Sequence, residues 1–471
     1  QMAEQAREGL TSSFQVVEAD DTEPPKPDTS QDTRPKRSKY LPPGSPRLTP
    51  TLQGRKTAWT GSVINLLNTI MGSGLLSLPY ILQSTGIGLF LCLMLLMGMV
   101  VCYSLLVLLA SARISNSTSY SELGYKAFGK AGKRWVCIFI LGQAFGSMTT
   151  YTVVVRDLGP VLMKRLFGVT NSIWDNKEFL CAFQILCISL PLAHLKTMGV
   201  LALSSSVSVV ILYTFAFMVV TFKFVLSDAC VPDVQRGITC EVEMINFDLQ
   251  FFLAIPTLTF SFLCHSAALP VFAELQRADA QGRTYRGNDR MATVIKTAIF
   301  CAAVVYFFVS IFGYLTFYDN IRNDVLQSYM RHADGPAGLP ILLVGIALMI
   351  SFDLSIPTIH FPYRKALYEV LGLTQVSLPL HVFLTCSTIC LVLLLALSVP
   401  FITTVMSVFG ATTSVSLVFL LPTSIYCKLE KGPWNDRKKL PALCMFVCGA
   451  AIGCISLTGI VYRWCKNGFG N

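Results

Sequence analysis

Eleven apolar runs divide this chain, at 59–82, 86–112, 135–158, 178–194, 198–225, 250–273, 292–318, 338–362, 378–398, 401–426 and 440–463. A bilayer core of roughly 30 Å takes about 20 helical residues to cross, and nearly every run is that long. The run at 178–194 is the shortest. Backbone groups have no partner in lipid, so such runs become helices. A transmembrane barrel is excluded, because its strands alternate polar and apolar over only about 10 residues. Only 14% of the 471 residues are charged and 53% are hydrophobic, too few charges to cover a water-soluble surface. The fold class is all-α and polytopic.

Residues 1–55 are rich in Pro, Ser, Thr and charge, and read as a disordered tail. The membrane-spanning body occupies 56–463, followed by a short terminus at 464–471. No cleavable signal peptide opens the chain, so the first run is expected to be its own insertion signal. The net charge of +10 does not indicate nucleic-acid binding, because the basic residues follow the loops. Of 37 Lys and Arg, 27 fall in one alternating set of segments and 10 in the other. By the positive-inside rule the N-terminus is cytoplasmic and the C-terminus extracellular or lumenal. The 16 Cys lie mostly in apolar runs as small hydrophobes. Cys230 and Cys240 share an outer loop in an oxidising compartment and are expected to be disulfide-bonded. The sequon Asn116-Ser117-Thr118 falls inside and should carry no glycan. Its segment, 113–134, reads as a solvated loop, with a short amphipathic helix as the alternative.

Two runs contain what ordinary spans avoid. The first holds Asn68, Gly72, Ser73, Gly74 and Pro79; the sixth holds Pro256, a polar centre at Ser261, Cys264 and His265, and Pro270. Glycine weakens a helix and proline removes a donor, so both should break near mid-membrane. A break exposes amides that suit a carboxylate and carbonyls that suit a cation or ammonium, a set matched to a zwitterion. The sixth run starts five runs after the first, and an odd offset reverses direction. This is the arithmetic of a five-plus-five inverted repeat with an eleventh helix appended. On the eighth run Ser351, Ser355 and Thr358 share one stripe, and Asp353 stands about 200° from Ser351. Asn68 and Ser355 lie about 21 and 25 Å from the outer ends of their helices, at one level.

The run Asn68-Thr69-Ile70-Met71-Gly72-Ser73-Gly74 resembles the helix 1 signature of the sodium-coupled neutral amino acid transporters, the solute carrier 38 family within the amino acid/auxin permeases. The segment from Pro256 to Pro270 is similar to their helix 6, Phe312–Phe317 to their helix 7 end, and His360-Phe361-Pro362 with Arg364-Lys365 to their helix 8 end. The resemblance runs from about 55 to 463. It implies a LeuT-type fold and symport of neutral amino acids with sodium. It implies that Asn68 matches a sodium-linked asparagine, while Ser355 stands where relatives carry a threonine. Asp353 departs from the neutral residue of relatives and becomes the candidate for proton coupling.

The expected substrate set is therefore Thr69, Ile70, Met71, Gly72, Ser73 and Gly74 with Ser261, Cys264 and His265. The Gly72–Gly74 backbone would meet the carboxylate, and backbone near Ser261 and Cys264 the amine. Asn68 and Ser355 would hold sodium. No cofactor is expected beyond the coupling ion, and the partners are amino acid, sodium and lipid, with the chain a monomer in the plasma membrane rather than an endolysosomal one. The competing readings are a proton-coupled carrier, with Asp353, His265 or His360 titrating, and a non-transporting amino acid sensor signalling through the tail. An enzyme is not expected, for want of a nucleophile–base pair, metal spacing or phosphate loop.

Overall fold

A computed structural model describes residues 52–467 except 169–172, 195–198, 227–229, 231, 233–239, 247–250, 282–286, 336–337, 374 and 434–435. The tail expected at 1–55 lies outside the described residues except for 52–55, and the terminus at 464–471 except for 464–467.

The first span consists of α1 (Leu52–Ile70) and α2 (Gly74–Thr85), and the second is α3 (Ile87–Ser115). The third is α4 (Tyr120–Phe167). The fourth is built from α5 (Lys177–Gln184) and α6 (Leu190–Ala193), joined by a π segment at Ile185–Ser189. Next come α7 (Gly199–Val225), the broken pair α8 (Phe251–Ser261) and α9 (His265–Gln281), and α10 (Gly287–Phe317). A short helix α11 (Val325–Met330) leads to α12 (Gly338–Leu371) and α13 (Leu378–Ser398). The tenth span runs from α14 (Ile402–Phe409) through two π segments to α15 (Leu421–Leu429), and α16 (Leu440–Asn467) is the last. Among the described residues ten spans are long and apolar enough to cross a bilayer, counting α1 and α2 as one. The fourth is helical but shorter.

The segment expected as a solvated loop is a correction. Residues 120–128 are helical and meet the third span at a kink at Phe128–Gly129. Tyr120, Leu123 and Ala127 are buried on one face, and Glu122 pairs with Lys126 at 3.1 Å on another. Three apolar anchors and an i,i+4 ion pair are enough to hold so short a helix once it can pack.

The span ends at the face opposite the start of the first span are tied together. Cys230 and Cys240 form a disulfide with Cα atoms 6.1 Å apart. Just beyond it, the carbonyls of Glu243 and Met244 accept from the Ile87 and Gly88 amides at 3.0 and 2.8 Å, capping the start of α3. Buried Arg156 donates to the carbonyls of Ala396, Val399 and Pro400 at the end of α13, at 2.5, 2.6 and 3.0 Å. A cation suits those orphan carbonyls at a helix C-terminus. Its neighbour Asp157 accepts from Gln327 on α11 at 3.2 Å, and Thr403 donates to Asn323 at 2.8 Å.

Candidate functional site

In the first span the helix stops at Ile70, resumes at Gly74 and turns by 56°. Leu75 and Leu76 bond back to Gly72 and Ser73 carbonyls at 3.2 and 3.1 Å, so the amides of Gly72, Ser73 and Gly74 donate to no backbone carbonyl among the described residues. The Ser73 hydroxyl donates to Thr150 at 2.9 Å. In the sixth span the helix stops at Ser261 and resumes at His265. Pro256 and Pro270 bracket that gap from inside the two half-helices. Glycine at 72 and 74 is dictated by proximity as well as flexibility. A methyl at Gly72 would overlap the Tyr151 hydroxyl, and one at Gly74 would lie 2.5 and 2.8 Å from Ser261 Oγ and Cβ.

A cavity of about 360 Å³ begins at these breaks, within the size range of small-molecule sites. The first span supplies Asn65 and Asn68 to Gly74, the sixth Ser261 and residues down to Glu274, and the eighth Ser351, Ser355 and Thr358. Tyr151 and Gln143 come from the third span and Ser208 from the fifth. Odd and even spans cross in opposite directions, so all these positions lie from the breaks toward one membrane face, the one the first span starts from. Asn65, Thr69, Pro270 and Glu274 are exposed there. On the opposite side Leu75, Leu76, Ser77, Leu78 and Leu258 are fully buried. Glu274, at the mouth, is the only charged side chain in the wall among the described residues.

All the first-span residues singled out, Asn68 through Gly74, line this cavity together with Ser261 and Ser355. Cys264 and His265 do not. Both are fully buried, and His265 Nε2 lies 2.8 Å from Ser104 Oγ on α3. The turn at Phe262–Cys264 sends these side chains toward the second span. Asp353 is also off the cavity. Its carboxylate accepts from Gln184 and, at 3.4 Å, from Ser189, both on the fourth span. The 200° offset from the serine stripe agrees with this placement. Tyr151, stacked on Phe352 at 4.9 Å, and Gln143, whose amide oxygen accepts from Thr413 and Ser414 at 2.9 and 2.7 Å, are wall residues that sequence reasoning missed.

Residues 55–462 match the family model described as transmembrane amino acid transporter protein. The chain belongs to that family. The fold is similar to that of Mhp1, a nucleobase-cation-symport-1 family transporter solved in a closed conformation with bromovinylhydantoin bound. The TM-score is 0.53 at 11% identity, over 88% of this chain and 93% of that one. The transporter therefore has the LeuT-type architecture, with its paired broken spans, and is not an enzyme.

Proposed function

We propose that the chain is a symporter that carries neutral amino acids into the cytoplasm with sodium. The observation that supports this most is the chemistry of one wall. Free amides at Gly72–Gly74, an amide at Asn68 and a hydroxyl at Ser355 share a cavity whose only charged lining residue among those described is Glu274 at the mouth. Without a fixed charge at the breaks, a substrate must balance its own charges, as a neutral amino acid does. Its carboxylate would take the free amides, and its amine the carbonyls ending the half-helices. Asn68 and Ser355 offer the neutral oxygens that a small hard cation prefers. Asp353 is engaged by Gln184 and Ser189 outside the cavity, which favours sodium over proton coupling. The excess of Lys and Arg on alternate loops favours a cytoplasmic N-terminus and an outer C-terminus.

The test is uptake of labelled neutral amino acids into liposomes holding the purified chain, with sodium or choline outside at fixed pH. Uptake should require sodium. Asn68→Ala and Ser355→Ala should each raise half-saturating sodium about tenfold, near 1.4 kcal/mol. Ser355→Thr, which keeps the oxygen, should be nearly silent. Full uptake in choline would overturn sodium coupling and restore the proton-coupled carrier.

A further inference from the structure

The carbonyls at the two helix breaks converge on one side chain. Ile70 ends α1 and Ser261 ends α8, and carbonyls at a helix end have no partner within the helix. The Tyr306 hydroxyl of α10 lies 2.8 Å from Ile70 O and 2.9 Å from Ser261 O. Tyr306 is fully buried, and Phe262 meets its ring edge-on at 5.1 Å and 81°. Ile70 and Ser261 line the cavity and Tyr306 does not, so the hydroxyl holds them from behind. Both helix ends carry partial negative charge and repel each other. A phenol offers one hydrogen to the pair, and each carbonyl oxygen keeps a second lone pair.

We propose that Tyr306 is a positioning residue for the substrate's α-ammonium group. Its hydroxyl clamps the Ile70 and Ser261 carbonyls together, and their remaining lone pairs receive two N–H groups of the ammonium from the cavity side. This rests on the amino acid reading above. The clamp joins the half of the first span before its break to the half of the sixth before its own. Losing it lets the two acceptors separate without touching the carboxylate site at Gly72–Gly74 or the residues Asn68 and Ser355.

The experiment measures uptake by Tyr306→Phe in liposomes. Half-saturating amino acid should rise about tenfold, the scale of one hydrogen bond to a charged group. Half-saturating sodium at saturating amino acid, and the maximal rate per transporter, should stay within about twofold, well under the tenfold that 1.4 kcal/mol represents. Phe262→Leu keeps the hydroxyl and frees the ring. It should give a rise of roughly two- to threefold, the scale of one aromatic pair. An unmoved amino acid half-saturation in Tyr306→Phe, or an equal rise for sodium, overturns the inference. If Tyr306→Phe does not reach the membrane, an unmoved value in Phe262→Leu overturns it. Absence of uptake by the unaltered chain overturns the functional reading and this inference together, whereas normal uptake with an unmoved variant overturns this inference alone.

Discussion

At Gly72 the space a side chain would take is filled by the Tyr151 hydroxyl, and at Gly74 it is filled by Ser261. The two clashes differ in how they can be relieved. At Gly72 the obstacle is the far end of a ring. Without the hydroxyl, the next atom, Cζ, is 3.4 Å from the added methyl, an ordinary contact. At Gly74 the obstacles include Ser261 Cα at 3.2 Å, which is backbone. Gly72→Ala should therefore abolish most uptake, by an overpacking cost of about 1–3 kcal/mol. Adding Tyr151→Phe should restore a large part of it. Gly74→Ala should not be restored by Ser261→Ala, since the Cβ contact remains. Uptake by the single and paired variants at matched surface level checks this, and failure of Tyr151→Phe to rescue Gly72→Ala would refute the steric account.

At the scale of elements, α11 is set by a single acid. Asp324 Oδ1 accepts from the Leu326 amide at 2.9 Å and caps the helix, yet the residue is only 2% exposed and Oδ2 has no partner among the described residues. Burial, with Asp157 adding to it, pushes this carboxyl up to about 7. An unfolded chain releases the proton near pH 4, roughly 3 units lower. The folded state thus binds a proton that the unfolded state has lost, and stability falls as pH rises between those values. The contribution is intact below about pH 4 and gone above about 7. Asp324→Asn keeps the cap acceptor and removes the charge. The unaltered protein should lose thermal stability relative to Asp324→Asn from about pH 4.5 to 7, and a constant difference would refute the assignment. Elements were otherwise largely legible. Gly72, Gly74, Pro256 and Pro270 act on the backbone itself, so both breaks could be read without neighbours. The π segments at Ile185–Ser189, Gly410–Ser414 and Ser416–Leu420 could not, since no residue type marks them.

At the scale of the whole molecule, what escaped sequence reading was rotation. A span surrounded by protein and lipid is apolar on all sides and loses the stripe that tells which face is inward. Tyr151, Gln143 and Tyr306 therefore looked like any other span residues, and Cys264 and His265 were expected at the substrate although the turn beside them faces α3. The sidedness of the cavity could not be read either, because it depends on which half of every span packs. The exposed mouth at Asn65 and Glu274 and the sealed α2 and α8 describe a transporter open on one face only. With the N-terminus cytoplasmic, as proposed, that face is the inner one. A membrane-impermeant thiol reagent should then label Asn65→Cys and Glu274→Cys in inside-out vesicles and not in right-side-out ones. Ser77→Cys, just past the first break and fully buried, should resist from both sides. The unaltered chain, labelled in parallel, supplies the background from native thiols. Labelling of Asn65→Cys and Glu274→Cys only from outside would reverse the orientation. Labelling of Ser77→Cys from outside would mean that the outer layer built on Arg156, Asp157 and α11 does not keep the cavity shut.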